Sequence, residues 1–399
     1  MRDLFTLSVL VSVLASGVRL STTYLLAALG ETIGQRSGVL NLGVDGVMLL
    51  SAFGAYWTAL ETENLWLAAL VGLLVGLVMG VVYAIITLVF RAEQGISGIG
   101  IYLFGLGFSD LLFEEIVGTP TPVSSLPKVP IPLLSDIPHV GEALFDHNLM
   151  TYLAFALVPV MAALLYRTTF GMNVRAVGEN PEAADSLGVS VAWVRFRAIL
   201  IGNAMAGLAG AALSLRLGNF QNNLTQGLGF IAVALVYFGA WRPRGAMLGA
   251  LLYGIVAALV LQLKARQIIP LEASDLAAMA PAVLTIVALV VLAGRVDAPQ
   301  PLTQPTTPPP PHRRRRRRGG RTAQPPPPEE SPMTATSYPT RRWFRLLAAL
   351  LALAFGAAAC GDDDDDALDD ATDAVEDAAD DAADAADDVA DEAEDAVDD

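Results

Sequence analysis

The residue types that carry covalent chemistry are sparse in this 399-residue chain and are not arranged for it. It has one cysteine, Cys360, and three scattered histidines, His139, His147 and His312, at spacings that pair no metal ligands. It also lacks a glycine-rich loop ending in Lys-Ser or Lys-Thr, so a P-loop for ATP is excluded. The sequence therefore predicts a protein that is not an enzyme, with no catalytic residues, no metal site and no cofactor of its own.

The most distinctive polar stretch lies between two apolar spans, at residues 177–189, and reads VGENPEAADSLGV. Glu179 and Glu182 flank Pro181 at the predicted start of a short helix, where acidic groups suit the positive helix end and proline is tolerated. A rigid short helix at a membrane surface can transmit a mechanical push. The segment therefore indicates a place where a separate motor acts, the alternative being an ordinary solvated linker.

Two further polar side chains lie inside an apolar span. Asn41 and Asp45 are four residues apart, a spacing that places them on one face of a helix. A carboxylate inside a membrane helix costs about 2.5–3.5 kcal/mol on insertion scales, so it usually faces a cavity or a partner. Asp45 is predicted either to line a polar pathway or to serve the structure, by capping backbone or by pairing with Arg36.

A third polar group begins a later span. Asn222, Asn223 and Thr225 precede Gly227 and Gly229. A polar, glycine-interrupted start to a membrane helix often marks a broken segment beside a cavity, so these three residues join Asn41 and Asp45 as candidates for a substrate pathway. A plain external loop would have a similar composition.

The elements that must position these residues are apolar helices. The chain is 54% hydrophobic and 17% charged, as in membrane proteins, and each crossing needs about 20 apolar residues. The pattern predicts an all-α polytopic protein with about nine transmembrane helices, and counts of eight to ten are compatible with it. Arg19 leaves the first as one tilted helix or two short pieces. The predicted spans are 4–28, 38–60, 65–90, 97–116, 149–166, 196–215, 227–240, 245–263 and 276–294.

Small residues and arginines predict how these helices pack and face. Small residues recur every four positions, as at Gly72, Gly76 and Gly80, which favours close helix packing in lipid. Nine spans put nine arginines on one face and five basic residues on the other. The positive-inside rule then makes residues 177–189 cytoplasmic and the loop 118–148 external. Trp241 is predicted to be an interfacial anchor.

Three stretches together resemble a known family. They are residues 34–50 (GQRSGVLNLGVDGVMLL), residues 225–246 (TQGLGFIAVALVYFGAWRPRGA) and VGENPEAADSLGV. In the order in which they occur along the chain, they resemble the permease subunit of bacterial nucleoside ABC importers, within the branched-chain amino acid/ribose permease superfamily, over about residues 1–298. The resemblance implies transport of nucleosides, with a simple sugar or a branched-chain amino acid as the alternative. Asp45 stands where that family more often has Glu.

The resemblance also implies partners and a location. It implies a cytoplasmic ATP-binding subunit that holds the ATP, a second related permease subunit and an extracellular substrate-binding lipoprotein, around a multi-pass chain in the bacterial inner membrane. Two rival functions remain, an ion-coupled secondary transporter and a membrane anchor or scaffold. The family's coupling loop to the ATPase corresponds to Gly178, Glu179, Asn180, Pro181, Glu182, Ala183 and Ala184.

Composition changes abruptly after residue 297, where the predicted permease domain 1–297 ends. Residues 298–332 form a Pro-rich, disordered linker with six consecutive arginines that could bind anionic lipids; their position argues against nucleic acid. Residues 333–360 are typical of a lipoprotein signal that ends at Cys360, a lipidation candidate, or of an extra apolar helix. Residues 361–399 hold 21 acidic and no basic side chains, a low-complexity tail predicted to be external.

The acidic tail alone makes the net charge −16, because residues 1–360 hold 20 acidic and 25 basic side chains. A signal of this kind belongs at an N-terminus. We therefore expect the chain to join two reading frames, a permease ending near residue 332 and a small lipoprotein beginning at Met333.

Overall fold

A computed structural model of the chain describes residues 7–132, 135, 137, 140–266 and 283, which all belong to Met1–Arg313, the first of two compact units. Several predicted features therefore lie outside the described residues. They are the span near 276–294 apart from Val283, the segments 298–332, 333–360 and 361–399, and the residues His139, His312 and Cys360.

Within the described ranges the chain is helical, apart from its loops and two short strands. Helix Leu65–Ala84 continues into a π-helical turn, Ile85–Val89, and the strand Lys128–Pro130 pairs with the strand Asp146–Asn148. The elements are α1 (Leu7–Arg36), α2 (Val44–Thr62), α3 (Leu65–Ala84), α4 (Gln94–Ile116), β1 (Lys128–Pro130), α5 (Val140–Leu144), β2 (Asp146–Asn148), α6 (Leu149–Arg167), α7 (Thr169–Glu179), α8 (Pro181–Ser186), α9 (Val191–Leu217), α10 (Leu228–Phe238) and α11 (Pro243–Ala265).

Six described helices, α1, α3, α4, α6, α9 and α11, are long and apolar enough to cross a membrane, so the chain is a multi-pass membrane protein. The prediction of about nine spans is met only in part. Helix α2 has 19 residues, but Asp45 and Glu61 make it less apolar. Helix α10 has 11 residues and measures about 16 Å, roughly half the thickness of the hydrocarbon core.

Helix α1 settles the question that Arg19 left open, because it runs unbroken from Leu7 to Arg36. The Arg19 guanidinium donates to the hydroxyl of Ser16, one turn earlier, at 3.0 Å. The helix also continues eight residues past the predicted end at residue 28. Glu31, which the predicted boundary left in a loop, therefore lies inside the helix and is buried.

Helix α9 packs against α1, α2 and α3 with almost no side chain between the backbones. A methyl group added to Gly76 of α3 would lie 2.8 Å from the Cα of Gly207 of α9, and one added to Gly210 would collide with the Met48 carbonyl oxygen of α2. Such approach is possible only without a Cβ. The close packing that the small-residue spacing predicts is confirmed, and it makes α9 the axis of the bundle.

Helix α10 begins inside the bundle rather than at its surface. The chain leaves α9 at Gly218, and Asn223, Gln226 and Gly227 all have positive φ before Leu228 starts the helix. A methyl group added at Gly229 would lie 2.5 Å from the Cα of Asp45 in α2. The segment therefore dips from the end of α9 into the protein and turns there, as non-helical backbone can where protein covers it.

The connection between α4 and α6 contains a small hairpin. Lys128 of β1 pairs opposite Asn148 of β2, and the Lys128 ammonium contacts the Asp146 carboxylate at 2.6 Å. The Tyr152 hydroxyl donates to the carbonyl oxygen of Val129 at 3.2 Å and accepts from the backbone N–H of His147 at 3.1 Å. The hairpin is thus fixed to the start of α6.

The buried imidazole of His147 makes this hairpin sensitive to pH. Its Nε2 contacts the Ala143 carbonyl at 2.9 Å, while its Nδ1 has no partner among the described residues. Burial lowers the pKa of His147 below its ordinary value of 6.5, and the Ala143 carbonyl opposes the shift only partly. The folded hairpin therefore prefers the neutral ring. As pH falls below 6.5 the unfolded state binds a proton more readily than the folded state, so the stability of the folded hairpin decreases.

We expect amides in residues 128–148 to exchange hydrogen faster at pH 5 than at pH 7.5, after correction for the intrinsic rate. Because the cause is protonation of one ring, His147→Gln removes most of the difference. Equal protection of the wild-type hairpin at both pH values contradicts this prediction.

Candidate functional site

The segment at residues 177–189, which we call the coupling loop after its predicted role, contains a short helix with an N-terminal cap. Helix α7 ends at Glu179, and the side-chain oxygen of Asn180 accepts the backbone N–H of Ala183 at 2.9 Å. Pro181 occupies the first position of α8 and Glu182 lies in its first turn. Pro181 and Glu182 suit a helix start for the reasons that the sequence suggested, and the cap together with the buried Ala184 holds this short helix in place.

The outer surface of the coupling loop is open. Glu179, Asn180, Glu182 and Ala183 are exposed, whereas Ala184 and Gly178 face inward. Leu187, directly after α8, is 84% exposed. The loop thus offers a few polar groups and one large apolar side chain on a rigid support.

The inner side of this loop meets the end of α1. A methyl group on Gly178 would collide with the carbonyl oxygen of Arg36 and lie 2.9 Å from its carbonyl carbon. The Glu179 carboxylate lies 3.8 Å from the guanidinium of Arg36. Because both sides of the Gly178 contact are backbone, this segment and the end of α1 cannot approach more closely.

The end of α1 also contacts two other parts of the bundle. Arg36 Nε donates to the carbonyl oxygen of Trp241, at the turn between α10 and α11, at 3.1 Å. Arg195 of α9, fully buried, donates from Nε to the carbonyl oxygen of Ser37 at 3.2 Å. Residues 36–38 therefore join α7, α9 and the α10–α11 turn.

The prediction that Trp241 is an interfacial anchor is wrong. The side chain is 3% exposed, and its indole N–H donates to the Gln35 side-chain oxygen at 2.9 Å. The Gln35 amide in turn donates to the Glu31 carboxylate at 3.3 Å. The indole is buried because it satisfies a polar group of α1 that no water reaches.

Sequence reasoning missed Glu31 and also Asn203 of α9. The Asn203 side-chain oxygen accepts from the Asn41 amide at 3.2 Å, and the Glu31 carboxylate faces the backbone N–H of Asn41. The prediction that Asn41 shares a helix face with Asp45 is wrong, because α2 begins only at Val44. Instead, the Asn41 side chain caps a turn by accepting from the backbone N–H of Gly43 at 2.9 Å.

Asp45 and Thr225 meet at the buried start of α10. The Asp45 carboxylate accepts from the Thr225 hydroxyl at 2.9 Å and from the Gly229 backbone N–H at 2.7 Å. Asp45 and Thr225 are both 0% exposed. In this conformation Asp45 caps backbone, which is one of the predicted alternatives. It does not pair with Arg36, whose guanidinium contacts Glu179 and the Trp241 carbonyl oxygen. A carboxylate at a helix N-terminus satisfies free N–H groups and the helix dipole together.

Asn222 and Asn223 lie apart from that pair, on the exposed side of the same loop. The Asn222 amide donates to the Glu114 carboxylate at 3.0 Å, and the Asn223 backbone N–H donates to the Asp110 carboxylate at 3.2 Å. The five predicted pathway residues therefore form three groups in this conformation, Asn41 with Asn203, Asp45 with Thr225, and Asn222 with Asn223 on α4.

The sequence matches the family described as branched-chain amino acid transport system / permease component over residues 13–292. A guanosine ABC transporter permease of Bacillus subtilis, NupQ, is 33% identical over 288 residues, which is 69% of this chain and 90% of that protein. A nucleoside ABC transporter permease of Lactococcus lactis, NupC, is 32% identical over 293 residues, 70% of this chain and 92% of that protein.

A third similar protein is named for a different solute. A provisionally assigned glucose ABC transporter permease of Haloferax volcanii, TsgC13, is 40% identical over 250 residues, 61% of this chain and 75% of that protein. No solved structure gives a significant match.

Proposed function

We propose, because this chain belongs to the permease-component family of branched-chain amino acid transport systems, that it carries nucleosides inward across a bacterial inner membrane. The chain is a multi-pass ABC transporter permease. The nucleoside assignment is supported by two relatives, a guanosine and a nucleoside permease, that match over at least 90% of their own length. Glucose is the runner-up, since a glucose permease shows 40% identity.

An ABC permease works with an ATP-binding subunit and a substrate-binding protein. For this chain we propose a cytoplasmic ATPase that contacts the exposed face of the coupling loop, a second related permease that completes the pathway, and a lipoprotein that delivers solute outside. Two observations support this contact with the ATPase. Helix α8 is capped and can act as a rigid element, and Leu187 is exposed, a large apolar side chain that a partner would bury.

The coupling role depends most on one contact, the backbone approach of Gly178 to Arg36. We propose that movement of α8 with the ATPase shifts the end of α1, and that Arg36 and Ser37 pass this shift to the α10–α11 turn and to α9 through their hydrogen bonds. A loop held only by side chains would lose the displacement in rotamer changes.

We further propose that the buried start of α10 is the point where the pathway closes. In this conformation Asp45 and Thr225 hydrogen-bond each other inside the bundle, while Asn222 and Asn223 remain exposed on the same loop. Solute would meet the two asparagines first. Passage then requires α10 to move away from α2, which breaks the contacts by which Asp45 holds α10, and Asn41 would offer hydrogen-bonding groups to nucleoside hydroxyls and base N–H groups along the opened route.

Two substitutions test the coupling role. Glu179→Lys places a cation beside Arg36, and Pro181→Gly removes the fixed first turn of α8. We expect each to lower uptake about tenfold in the reconstituted complex while ATP hydrolysis continues and insertion is unchanged. The measurement is the ratio of solute transported to ATP hydrolysed.

Glu115→Lys is the matched control for Glu179→Lys, because it makes the same charge change at an exposed residue outside the coupling loop. Glu115 lies at the C-terminal end of α4. It should transport as wild type. Unchanged uptake in both loop variants refutes the coupling assignment.

The solute is tested separately, with labelled guanosine, ribose and glucose offered to the reconstituted complex. We expect saturable, ATP-dependent uptake of guanosine. Uptake of glucose alone would move the assignment to sugars and leave the coupling mechanism standing.

A further inference from the structure

Five arginines line one cleft at the end of the bundle that holds the coupling loop. The cleft has a volume of about 780 Å³. It lies between the ends of α1, α6, α7 and α11, and Glu179 is the only carboxylate in its described lining. The arginine cleft, as we name it, is lined by Arg36, Arg167, Arg175, Arg242 and Arg244.

Most of this positive charge is uncompensated. Arg36 lies near Glu179, and Arg175 packs over the ring of Tyr166 at 5.4 Å. The guanidinium groups of Arg167, Arg242 and Arg244 make no hydrogen bond or ion pair within the described part of the chain, and all three residues are exposed. Five guanidinium groups facing one carboxylate form an anion site, and guanidinium binds phosphate oxygens in pairs.

The rest of the lining is apolar and lies deeper. Pro159, Ala162, Ala163 and Tyr166 follow one another at helical spacing and form a stripe on α6. Helix α6 is one of the membrane-crossing helices, and Pro159 precedes Arg167 by eight residues, which is about 12 Å along the axis. With their small side chains the two alanines extend the cleft lining from the arginines along α6, and we call this part of the lining the groove.

We infer that the arginine cleft binds an anionic phospholipid, with the phosphate among the arginines and one acyl chain along Pro159, Ala162 and Ala163. A free phosphate ion would use only the charged end, and an acidic surface of a partner protein would not reach the groove. Only an amphiphile matches both parts. The site contacts Arg36 and Glu179, so a bound headgroup would lie against the same α1 end that the coupling loop touches.

The test titrates phosphatidylglycerol and phosphatidylcholine onto the delipidated full-length chain and counts bound lipid by native mass spectrometry. We expect phosphatidylglycerol to bind at least about tenfold more tightly. The double variant Arg242→Gln/Arg244→Gln should weaken its binding about tenfold. The control Arg91→Gln/Arg197→Gln, which removes the same charge outside the cleft, should bind within about twofold of wild type.

Ala163→Phe separates a lipid from a free anion, because it fills the groove and leaves every arginine. It should also weaken phosphatidylglycerol binding about tenfold, and 10 mM inorganic phosphate should displace little lipid from wild type. An equal loss of phosphatidylglycerol binding in both arginine double variants overturns the inference. So does lipid binding that inorganic phosphate displaces and that Ala163→Phe does not change. So does loss of the ATPase subunit from the Arg242/Arg244 variant with lipid binding unchanged, since the cleft would then serve the partner protein.

Discussion

Replacing Gly178 by valine is expected to lower solute uptake by about tenfold or more while the chain remains inserted and monodisperse. The Cβ of the valine would collide with the carbonyl oxygen of Arg36. That oxygen is a backbone atom, so it cannot move away by a change of rotamer as a side-chain atom could. Overpacking of this kind costs about 1–3 kcal/mol unless the helices separate, and separation moves α8 away from α1. The measurement is ATP-dependent uptake in proteoliposomes, alongside hydrolysis by the same complex.

Ala176→Val is the matched control for this prediction. Ala176 lies on α7, two residues earlier, and is exposed, so the substitution adds the same branched side chain without a backbone neighbour. It should leave uptake within about twofold of wild type. Wild-type uptake by Gly178→Val would show that transport does not depend on the approach of α7 to α1.

The coupling loop could be predicted closely from its residues because its structure is local. A proline at the first helical position, an asparagine before it and a glutamate after it each act on neighbouring backbone, and α8 begins where they place it. Close helix packing could be predicted equally well, because glycines four residues apart lie on one face of α3. Residues 298–399 stay a prediction, because neither the family match, which ends at residue 292, nor the described residues bear on them.

The buried polar contacts could not be predicted, because their partners are far apart in the chain. The Asn41 side chain hydrogen-bonds to Asn203, 162 positions away, and the residues around neither asparagine predict this pairing. Glu31 was missed for another reason, the placement of a predicted span end at residue 28. Residues 7–36 contain no proline, and the first glycine with a positive φ is Gly38, so reading the helix to that point would have placed Glu31 inside it.

Helix α10 shows how an apolar composition can predict a full crossing where the structure has a shorter helix. Residues 227–240 are apolar enough to be taken as a crossing, yet only Leu228–Phe238 is helical. The reason is tertiary. Asp45 supplies the acceptor that the first turn of α10 needs inside the bundle, so the helix can start there instead of at the surface. A carboxylate in one apolar segment and a glycine-flanked start in another were the two sequence signals of this arrangement.

Removing this acceptor should have the largest effect on stability. Asp45→Ala leaves the Gly229 N–H and the Thr225 hydroxyl buried without a partner, which costs about 1–3 kcal/mol per group, or about 2–6 kcal/mol together. We expect the melting temperature in detergent to fall by roughly 5–15 °C and uptake to be lost. Asp110→Asn is the control, since Asp110 also accepts a backbone N–H from this loop, at its exposed end, and should change the melting temperature little.

Asp45→Asn distinguishes capping from solute binding. The amide keeps one oxygen acceptor but turns an N–H₂ group toward a donor, so a capping role predicts a lower melting temperature and lower maximal uptake with KM for guanosine unchanged. A solute-binding role predicts the reverse, a raised KM at an unchanged melting temperature. Because the carboxylate is fully buried and bonded at both oxygens, we expect the first result. The second would mean that α10 is held by other contacts and that Asp45 is free to meet the solute when the pathway opens.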